Sequence, residues 1–425
     1  MVYSLAVPRV ASFRSVAPDD QPRGLEPSRP KVGLCLSGGG FRAAFYGLGA
    51  VRYLSEARLL PSVTAISAIS GGSLAAAKIA AHWPAFAEAG TGAFLDTVWE
   101  PMRRTVADVN IRNRWLASVA SGRGVGRGGR GVVLGEVLRR ELGLPLELAD
   151  LPGGPHVIFT STCLQTGRAF RFARDFTGSW DFGYVEPTPA GVKLGTALAA
   201  SAAFPITFTV VRVQTKDLNL PMAVPPEISL VDGGVYDNLG LEWFQGSGSG
   251  RPRTTDADFV LVVNASGVLD QKRRRFGAGR AIFRDLSVQY SQTLNVRVRW
   301  FVDQLKAAPG SGLYVGINRD PRKYTLIDGR TPIDPQLYDG ALPSSLAQRM
   351  PLVRTDLDRF SRDETELLAY HGYWSTHSRL ATFRPDLAVE HPEWREFADL
   401  SPAEEQRLAV ILDDARQRSL IRRGA

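Results

Sequence analysis

The sequence predicts an α/β fold of three layers, helix–sheet–helix, with a mostly parallel central sheet. Three observations predict it. Apolar, β-branched runs at 32–37 and 64–69 each lead straight into a helix-forming stretch, roughly 41–58 and 73–82. Further strand-like runs follow at 156–162, 168–173, 228–231 and 258–264, and strands alternating with helices favour a parallel sheet covered on both faces. Turns rich in serine, glycine and aspartate stand at the ends of these runs, where open α/β sheets place their sites.

Size and composition set the outer limits. The 425 residues, 44% hydrophobic and 22% charged, are enough for a large core and exclude a disordered or fibrous chain. Residues 1–30 carry prolines and charges and read as an arm. Residues 31–265 read as the core, and 266–425 as a mainly helical extension packed on it. The formal net charge of +8 favours anionic partners: a membrane surface, nucleic acid or an acidic substrate.

Cys35 and Cys163 sit inside apolar runs and read as buried, inert thiols, which gives no sign of an oxidising compartment. With five scattered histidines they offer no zinc-ligand spacing, so neither metal nor cofactor is expected. Arg9, Arg14, Asp19 and Asp20 break any apolar leader. The uncharged run between Lys193 and Arg212 contains Pro205 and reads as a buried helix followed by a strand rather than a membrane span. The expected location is cytoplasmic, with peripheral contact at the membrane.

The first strand runs into Ser37-Gly38-Gly39-Gly40-Phe41-Arg42. Three consecutive glycines permit positive φ and leave backbone N–H groups exposed at a helix start, which makes an anion cradle. For acyl transfer the anion is the oxygen of a tetrahedral intermediate. Arg42 falls in the first helical turn, where it can hold the loop's carbonyls or meet a substrate phosphate. A rival reading is a dinucleotide loop, because Gly38-x-Gly40-x-x-Ala43 fits that fingerprint. That reading needs an acidic residue at the end of the next strand, which ends instead at Ser70. There is no Gly-Lys-Ser/Thr, so a Walker loop is excluded.

The second strand runs into Ala68-Ile69-Ser70-Gly71-Gly72. A nucleophile elbow requires small residues two before and two after its serine, because strand and helix cross closely there. Ala68 stands where glycine is usual and still fits sterically. Taken alone, the pentapeptide favours a helix-capping turn without chemistry. An oxyanion cradle one βα unit earlier shifts the balance to acyl transfer.

A serine nucleophile needs a base. Leu230-Val231-Asp232-Gly233-Gly234 puts a carboxylate at a strand end, followed by two glycines that allow a sharp turn. An Asp-Gly turn is common and alone proves nothing. His371, His377 and His391 follow in the order that a Ser–acid–His triad would need. His371 and His377 flank Gly372-Tyr373-Trp374 in an aromatic, helical setting that suits packed side chains, while His82 and His156 have no motif around them. The residues leave both a triad and a dyad open and give Asp232 the better context.

The remaining features are organisational. Residues 121–131, Ser-Gly-Arg-Gly-Val-Gly-Arg-Gly-Gly-Arg-Gly, are low-complexity and read as a mobile loop or lid. Arg123, Arg127 and Arg130 there, and Lys272–Arg275, could dock on anionic headgroups, bind RNA, or simply be solvated. Residues 281–306 carry Ile282, Leu286, Tyr290, Leu294, Val298 and Phe301 at helical spacing. Ser401-Pro402-Ala403-Glu404 is a capping box opening a helix to about Leu420.

Gly38-Gly39-Gly40-Phe41-Arg42, Ser70-Gly71-Gly72-Ser73 and Asp232-Gly233-Gly234 stand in this order, with Ser201-Ala202-Ala203-Phe204-Pro205 before the third block. This resembles the patatin-like phospholipase family over about 31–245, and more weakly at Arg354–Asp356 and His371–Tyr373. The resemblance implies a patatin-like three-layer fold and hydrolysis of lipid acyl esters, without metal or cofactor, by a Ser–Asp dyad. It implies Ser70 as nucleophile, Asp232 as general base, Gly38, Gly39 and Gly40 as the oxyanion hole, and Arg42 as a substrate-binding position. The implied partners are a phospholipid or other acyl-ester lipid and an anionic membrane surface, with no specific nucleic acid. Two alternatives remain: a Ser-His-Asp carboxylesterase of the α/β-hydrolase type, and a non-enzymatic nucleotide- or RNA-binding protein.

Overall fold

The computed structural model describes residues 29–122, 129–204, 209–222, 224–245, 257–267 and 278–417. Their strands are β1 (Val32–Leu36), β2 (Val63–Ile69), β3 (His156–Cys163), β4 (Ala169–Phe172), β5 (Thr177–Ser179), β6 (Gly183–Val185), β7 (Val211–Gln214), β8 (Glu227–Asp232), β9 (Phe259–Asn264) and β10 (Gly312–Gly316). One sheet runs in the order β10-β9-β1-β2-β3-β4-β5-β6, with β8 also on β3 and β7 on β8. The helices used below are α1 (Gly40–Glu56), α2 (Gly71–Phe86), α3 (Leu194–Ala202), α4 (Gly234–Asp237), α5 (Ala278–Ala307), α6 (Arg362–Phe383) and α7 (Pro402–Gln417).

The expected parallel sheet is the half from β10 to β3, where every neighbour pair is parallel. From β3 outward the pairing is antiparallel, both to β4–β6 and to β8 and β7. The local pattern of apolar residues does not separate the two cases when both faces of a strand are covered.

Side-chain alternation divides the sheet into two cores, which makes three layers. Leu34, Leu36, Ile66, Ala68, Phe159, Leu261 and Val263 point into the larger core beneath α1, α2 and α6. Cys35, Ala65, Ile158, Val260 and Val262 point the other way, onto Leu294 and Phe301 of α5. The apolar positions of 281–306 that lie in this second core therefore cover the opposite face, as their spacing suggests. The extension also reaches into the sheet itself: β10 pairs with β9, so the boundary read at 265 does not fall at a sheet edge.

The Ser361–Glu364 capping box starts α6, which packs along α1. Ser401 and Glu404 form the expected reciprocal bonds at the start of α7, described to Gln417. Residues 129–131 belong to a helix, Gly129–Glu141, which shortens the loop read at 121–131. The rest of that loop (123–128), the arm up to 28, and Lys272–Arg275 lie outside the described residues.

Candidate active site

β2 delivers Ser70, and its register on β3 fixes where. Ile69 pairs with Thr160 in the parallel ladder. The next residue of β3, Ser161, pairs with Asp232, the last residue of antiparallel β8. β2 and β8 thus approach each other from opposite directions along β3, and their carboxyl ends meet. The sequence reading placed Asp232 at a strand end; the structure adds that its strand runs against the neighbours that carry Ser70.

Ser70 has φ 49° and ψ −118°, a conformation that side chains other than glycine rarely adopt. Such a residue costs about 1–3 kcal/mol and persists only where its surroundings impose it. Here the surroundings are close backbones. A Cβ on Gly71 would collide with the Gly40 carbonyl, and one on Gly72 with the Leu36 carbonyl. Ala68, in place of the usual glycine, is buried in the larger core, and the sharp turn forms regardless. α2 starts immediately after the turn and directs its unpaired first N–H groups toward the Ser70 side.

Asp232 is 3% exposed. Its Oδ1 accepts the Gly234 N–H at 2.7 Å, and the Ser70 side chain is near enough to stabilise its charged form. Burial raises its pKa from 3.8 to about 6, and those two groups oppose the rise. The Asp232 backbone is tied on both sides: its carbonyl accepts from Thr162 Oγ1 at 2.9 Å and its N–H donates to the Ala203 carbonyl at 3.0 Å. Tyr290 of α5 lies against Gly234 beside the carboxylate; a Cβ on Gly234 would fall 3.0 Å from its ring and 2.9 Å from Asp232 Oδ1. Burial, and then the charge of Asp232, push the Tyr290 phenol well up.

The glycine loop reaches the same place from β1. Gly39 and Gly40 have φ 136° and 56°, which glycine alone adopts without strain. A Cβ on Gly38 would fall 3.2 Å from Ser70 Cβ, so the loop passes directly beside the serine. The three glycines are not equivalent. Gly38 donates its N–H to the Asn238 carbonyl at 3.0 Å, whereas the N–H groups of Gly39 and Gly40 have no acceptor among the described residues. Gly38 therefore differs from its two neighbours in the expected oxyanion loop: its N–H is already given to a carbonyl.

Arg42 is occupied by backbone carbonyls. It is 4% exposed, and its guanidinium donates to the carbonyls of Ala265 (3.1 Å), Pro351 (2.9 Å) and Val353 (2.7 Å). Burial lowers its pKa to about 10. Of the two roles read from the sequence, holding backbone carbonyls is the one these three bonds serve. It clamps the start of α1 to the end of β9 and to the segment before α6. That segment presses on the loop a second time, since a Cβ on Gly40 would collide with the Thr355 carbonyl.

The sequence model of the family described as patatin-like phospholipase matches residues 34–243. The chain carries a patatin-like phospholipase domain. No curated protein matches the chain. In overall structure it is similar to human GIVD cytosolic phospholipase A2, with 12% identity, a TM-score of 0.49, and coverage of 91% of this chain and 63% of the other. It is similar also to that human protein in complex with methyl gamma-linolenyl fluorophosphonate, with 14% identity, a TM-score of 0.47, and coverage of 91% and 59%. VipD from Legionella pneumophila is a further similar structure, with 12% identity, a TM-score of 0.35, and coverage of 90% and 74%. The chain therefore spans about 63% of the length of the first of these.

Within and around the patatin-like domain, the five histidines are engaged or placed elsewhere. His371 is buried with Nε2 on the Ile317 carbonyl at 3.1 Å, and His377 has Nδ1 on the Tyr53 hydroxyl at 3.1 Å. Burial drives both down to about 4. His156 pairs with Asp175 at 2.7 Å, His391 lies exposed beside Glu390, and His82 sits in the second half of α2. None of the five bonds to Ser70 or Asp232 among the described residues. Among the described residues, no three His, Cys, Asp or Glu side chains gather to hold a metal ion, and no helix is long and apolar enough to cross a membrane.

Sequence reasoning missed the supports of the site. Asn238, six residues beyond Asp232, holds Gly38 through its carbonyl and donates its Nδ2 to Ser266 Oγ at 2.6 Å. Thr162 and Ser201 carry the backbones of Asp232 and Ser70. Only Ser201 was signalled, as part of the Ser201–Pro205 block.

Proposed function

We propose that this protein is a lipid acyl hydrolase of the phospholipase A or lysophospholipase type, working through a Ser70–Asp232 dyad. The observation that carries the reading is geometric: Ser70 in a positive-φ turn meets the buried Asp232 at adjoining positions along β3. Burial pushes that carboxylate up to about 6. A carboxylate of ordinary acidity is a poor base at neutral pH; one near 6 is mostly ionised at pH 7 and accepts a proton more readily.

As Ser70 Oγ bonds to the carbonyl carbon of the acyl ester, its proton passes to Asp232. The carbonyl electron pair moves onto oxygen, and the resulting oxyanion is received by the free N–H groups of Gly39 and Gly40. Such a donor is worth about 3–4 kcal/mol of transition-state stabilisation. The ester C–O bond then breaks, and the leaving alcohol takes the proton from Asp232. Water repeats the sequence on the acyl-enzyme: it gives a proton to Asp232, attacks the same carbon, and releases the fatty acid with Ser70 re-protonated. The substrate class follows from the family to which the domain belongs. Contact with an anionic membrane surface is part of this reading and rests on the net charge of +8 and the basic runs of the sequence.

The test is direct. A fluorophosphonate probe should label Ser70 in the wild type, and Ser70→Ala should remove the label. Fatty acid should be released from phospholipid micelles by the wild type only, not by Ser70→Ala or a folded Asp232→Asn. Full activity of Asp232→Asn would overturn the dyad, and an unlabelled, inactive wild type would overturn the enzyme. Co-sedimentation with liposomes that is indifferent to lipid charge would remove the membrane contact.

A further inference from the structure

Ser70 and Asp232 lie 162 positions apart in sequence, yet the last turn of α3 holds both. Ser201 Oγ accepts the N–H of Ser70 at 3.0 Å. The Ser201 carbonyl accepts the N–H of Gly233 at 3.2 Å, and the Ala203 carbonyl accepts that of Asp232 at 3.0 Å. Ser201 and Ala203 thus bind the ends of β2 and β8 together. Ser201 is fully buried, and its hydroxyl lies 2.8 Å from Ser73 Oγ in the first turn of α2. A hydroxyl can accept from the Ser70 N–H while sharing its own proton with Ser73, so the bond to Ser73 orients it.

The two holds differ in kind. Asp232 and Gly233 are held by carbonyls of the main chain, which no substitution removes. The Ser70 carbonyl accepts the N–H groups of Ser73 (2.9 Å) and Leu74 (3.3 Å) of α2, but Ser70 donates its own N–H to one side-chain oxygen. Its N–H sits in a turn where neither β2 nor α2 supplies an acceptor, and its φ of 49° must be imposed from outside. Losing the Ser201 hydroxyl would free the Ser70 N–H, and with it the tie of the serine to α3, while leaving Asp232 in place.

We infer that Ser201 is a positioning residue that sets the separation of Ser70 from Asp232, by tying the serine's N–H to the helix end that already holds the carboxylate. This rests on the dyad proposed above. Two consequences separate it from a merely structural role. A small displacement of a reacting atom costs up to about 100-fold in rate, so kcat falls while KM changes little. The Ser70 side chain is one of two groups that hold the Asp232 pKa down, so slackening its contact moves the acid limb of the pH–rate profile to higher pH.

The experiment compares full-length wild type and Ser201→Ala on a chromogenic acyl ester: kcat, KM, the acid limb, and the rate at which a fluorophosphonate labels Ser70. The expected result is a kcat reduced about 10- to 100-fold, KM within about 2-fold, labelling slowed in parallel, and an acid limb shifted upward. Unchanged kcat and an unmoved acid limb in folded Ser201→Ala would falsify the inference, as would a loss confined to KM. Should Ser201→Ala not fold, Ser73→Ala decides, because it leaves Ser201 Oγ in place and removes only what orients it. A few-fold loss of kcat with a smaller upward shift supports the role; wild-type kinetics overturn it. A wild type that the probe does not label at Ser70 refutes the dyad itself and this role with it, whereas a labelled wild type with an indifferent Ser201→Ala refutes this role alone.

Discussion

Ser70 and Asp232 meet beside β3 but are held there against different costs. Ser70 arrives on a parallel strand, and its cost is conformational: a positive φ in a residue with a side chain. Asp232 arrives on an antiparallel strand in ordinary extended backbone, and its cost is electrostatic: a carboxylate taken out of water. A backbone cost is indifferent to pH. A desolvation cost exists only while the group is charged. The comparison therefore predicts separate signatures for the two halves of one site.

The largest effect is the loss of either half. Ser70→Ala and Asp232→Asn should each lower kcat/KM by at least about 1,000-fold, since neither nucleophile nor base has a substitute nearby. In the wild type, kcat/KM should rise with pH up to about 6, where Asp232 ionises, and level off above it. A profile governed instead by a group near 7 would point to a histidine. Among the described residues no histidine bonds to Ser70 or Asp232, and His371 and His377 are both driven down to about 4 by burial.

Next comes the loop between the two halves. Arg42→Met removes the donors to three carbonyls and leaves those carbonyls buried beside the glycine loop. An activity loss on the order of 10- to 100-fold is expected, together with a lowered Tm, because Gly39 and Gly40 lose their fixed aim. If Arg42 served the substrate, the loss would appear mainly in KM and vary with headgroup charge. Kinetics on zwitterionic and anionic phospholipids distinguish the two.

Legibility followed sequence distance. The elbow was readable because strand, serine and helix are contiguous, and small residues at 71 and 72 are a local requirement. Asp232 was readable as a strand end, but the direction of its strand was not, since an apolar run looks alike in both orientations. Arg42 offered two roles from sequence. The carbonyls it meets lie 223 to 311 residues away, where no local pattern reaches. The same holds for Gly38, whose N–H is taken by a carbonyl from beyond the third motif. Motifs announced which residues gather; the long-range hydrogen bonds decide what each is free to do.

The electrostatic half can be isolated by stability. With a pKa near 6 in the folded state against 3.8 for an unfolded carboxyl, Asp232 keeps its proton in the native protein at pH 5 while the unfolded chain has released it. Unfolding then releases a proton, so stability falls as pH rises between about 4 and 6 and stays lower above. The rise in pKa corresponds to on the order of 3 kcal/mol. Asp232→Asn carries no charge at any pH. It should therefore gain stability over wild type at pH 8 in denaturant titrations, and the gain should vanish below pH 4. A gain that is constant with pH would break the assignment of the cost to desolvation.

The conformational half gives the smallest effect. Ser70→Ala and Ser70→Gly both remove the hydroxyl and its contact with Asp232, so they differ only in backbone freedom at φ 49°. Glycine relieves the strain of the turn by about 1–2 kcal/mol and returns up to about 1 kcal/mol through the greater entropy of its unfolded chain. Ser70→Gly should thus be more stable than Ser70→Ala by roughly 1 kcal/mol, and by the same amount at pH 5 and pH 8. Equal stabilities would mean that the turn imposes no strain on its residue. A difference that grew with pH would mean that the two costs are coupled through Asp232, and that the serine's backbone and the carboxylate's charge are not independent after all.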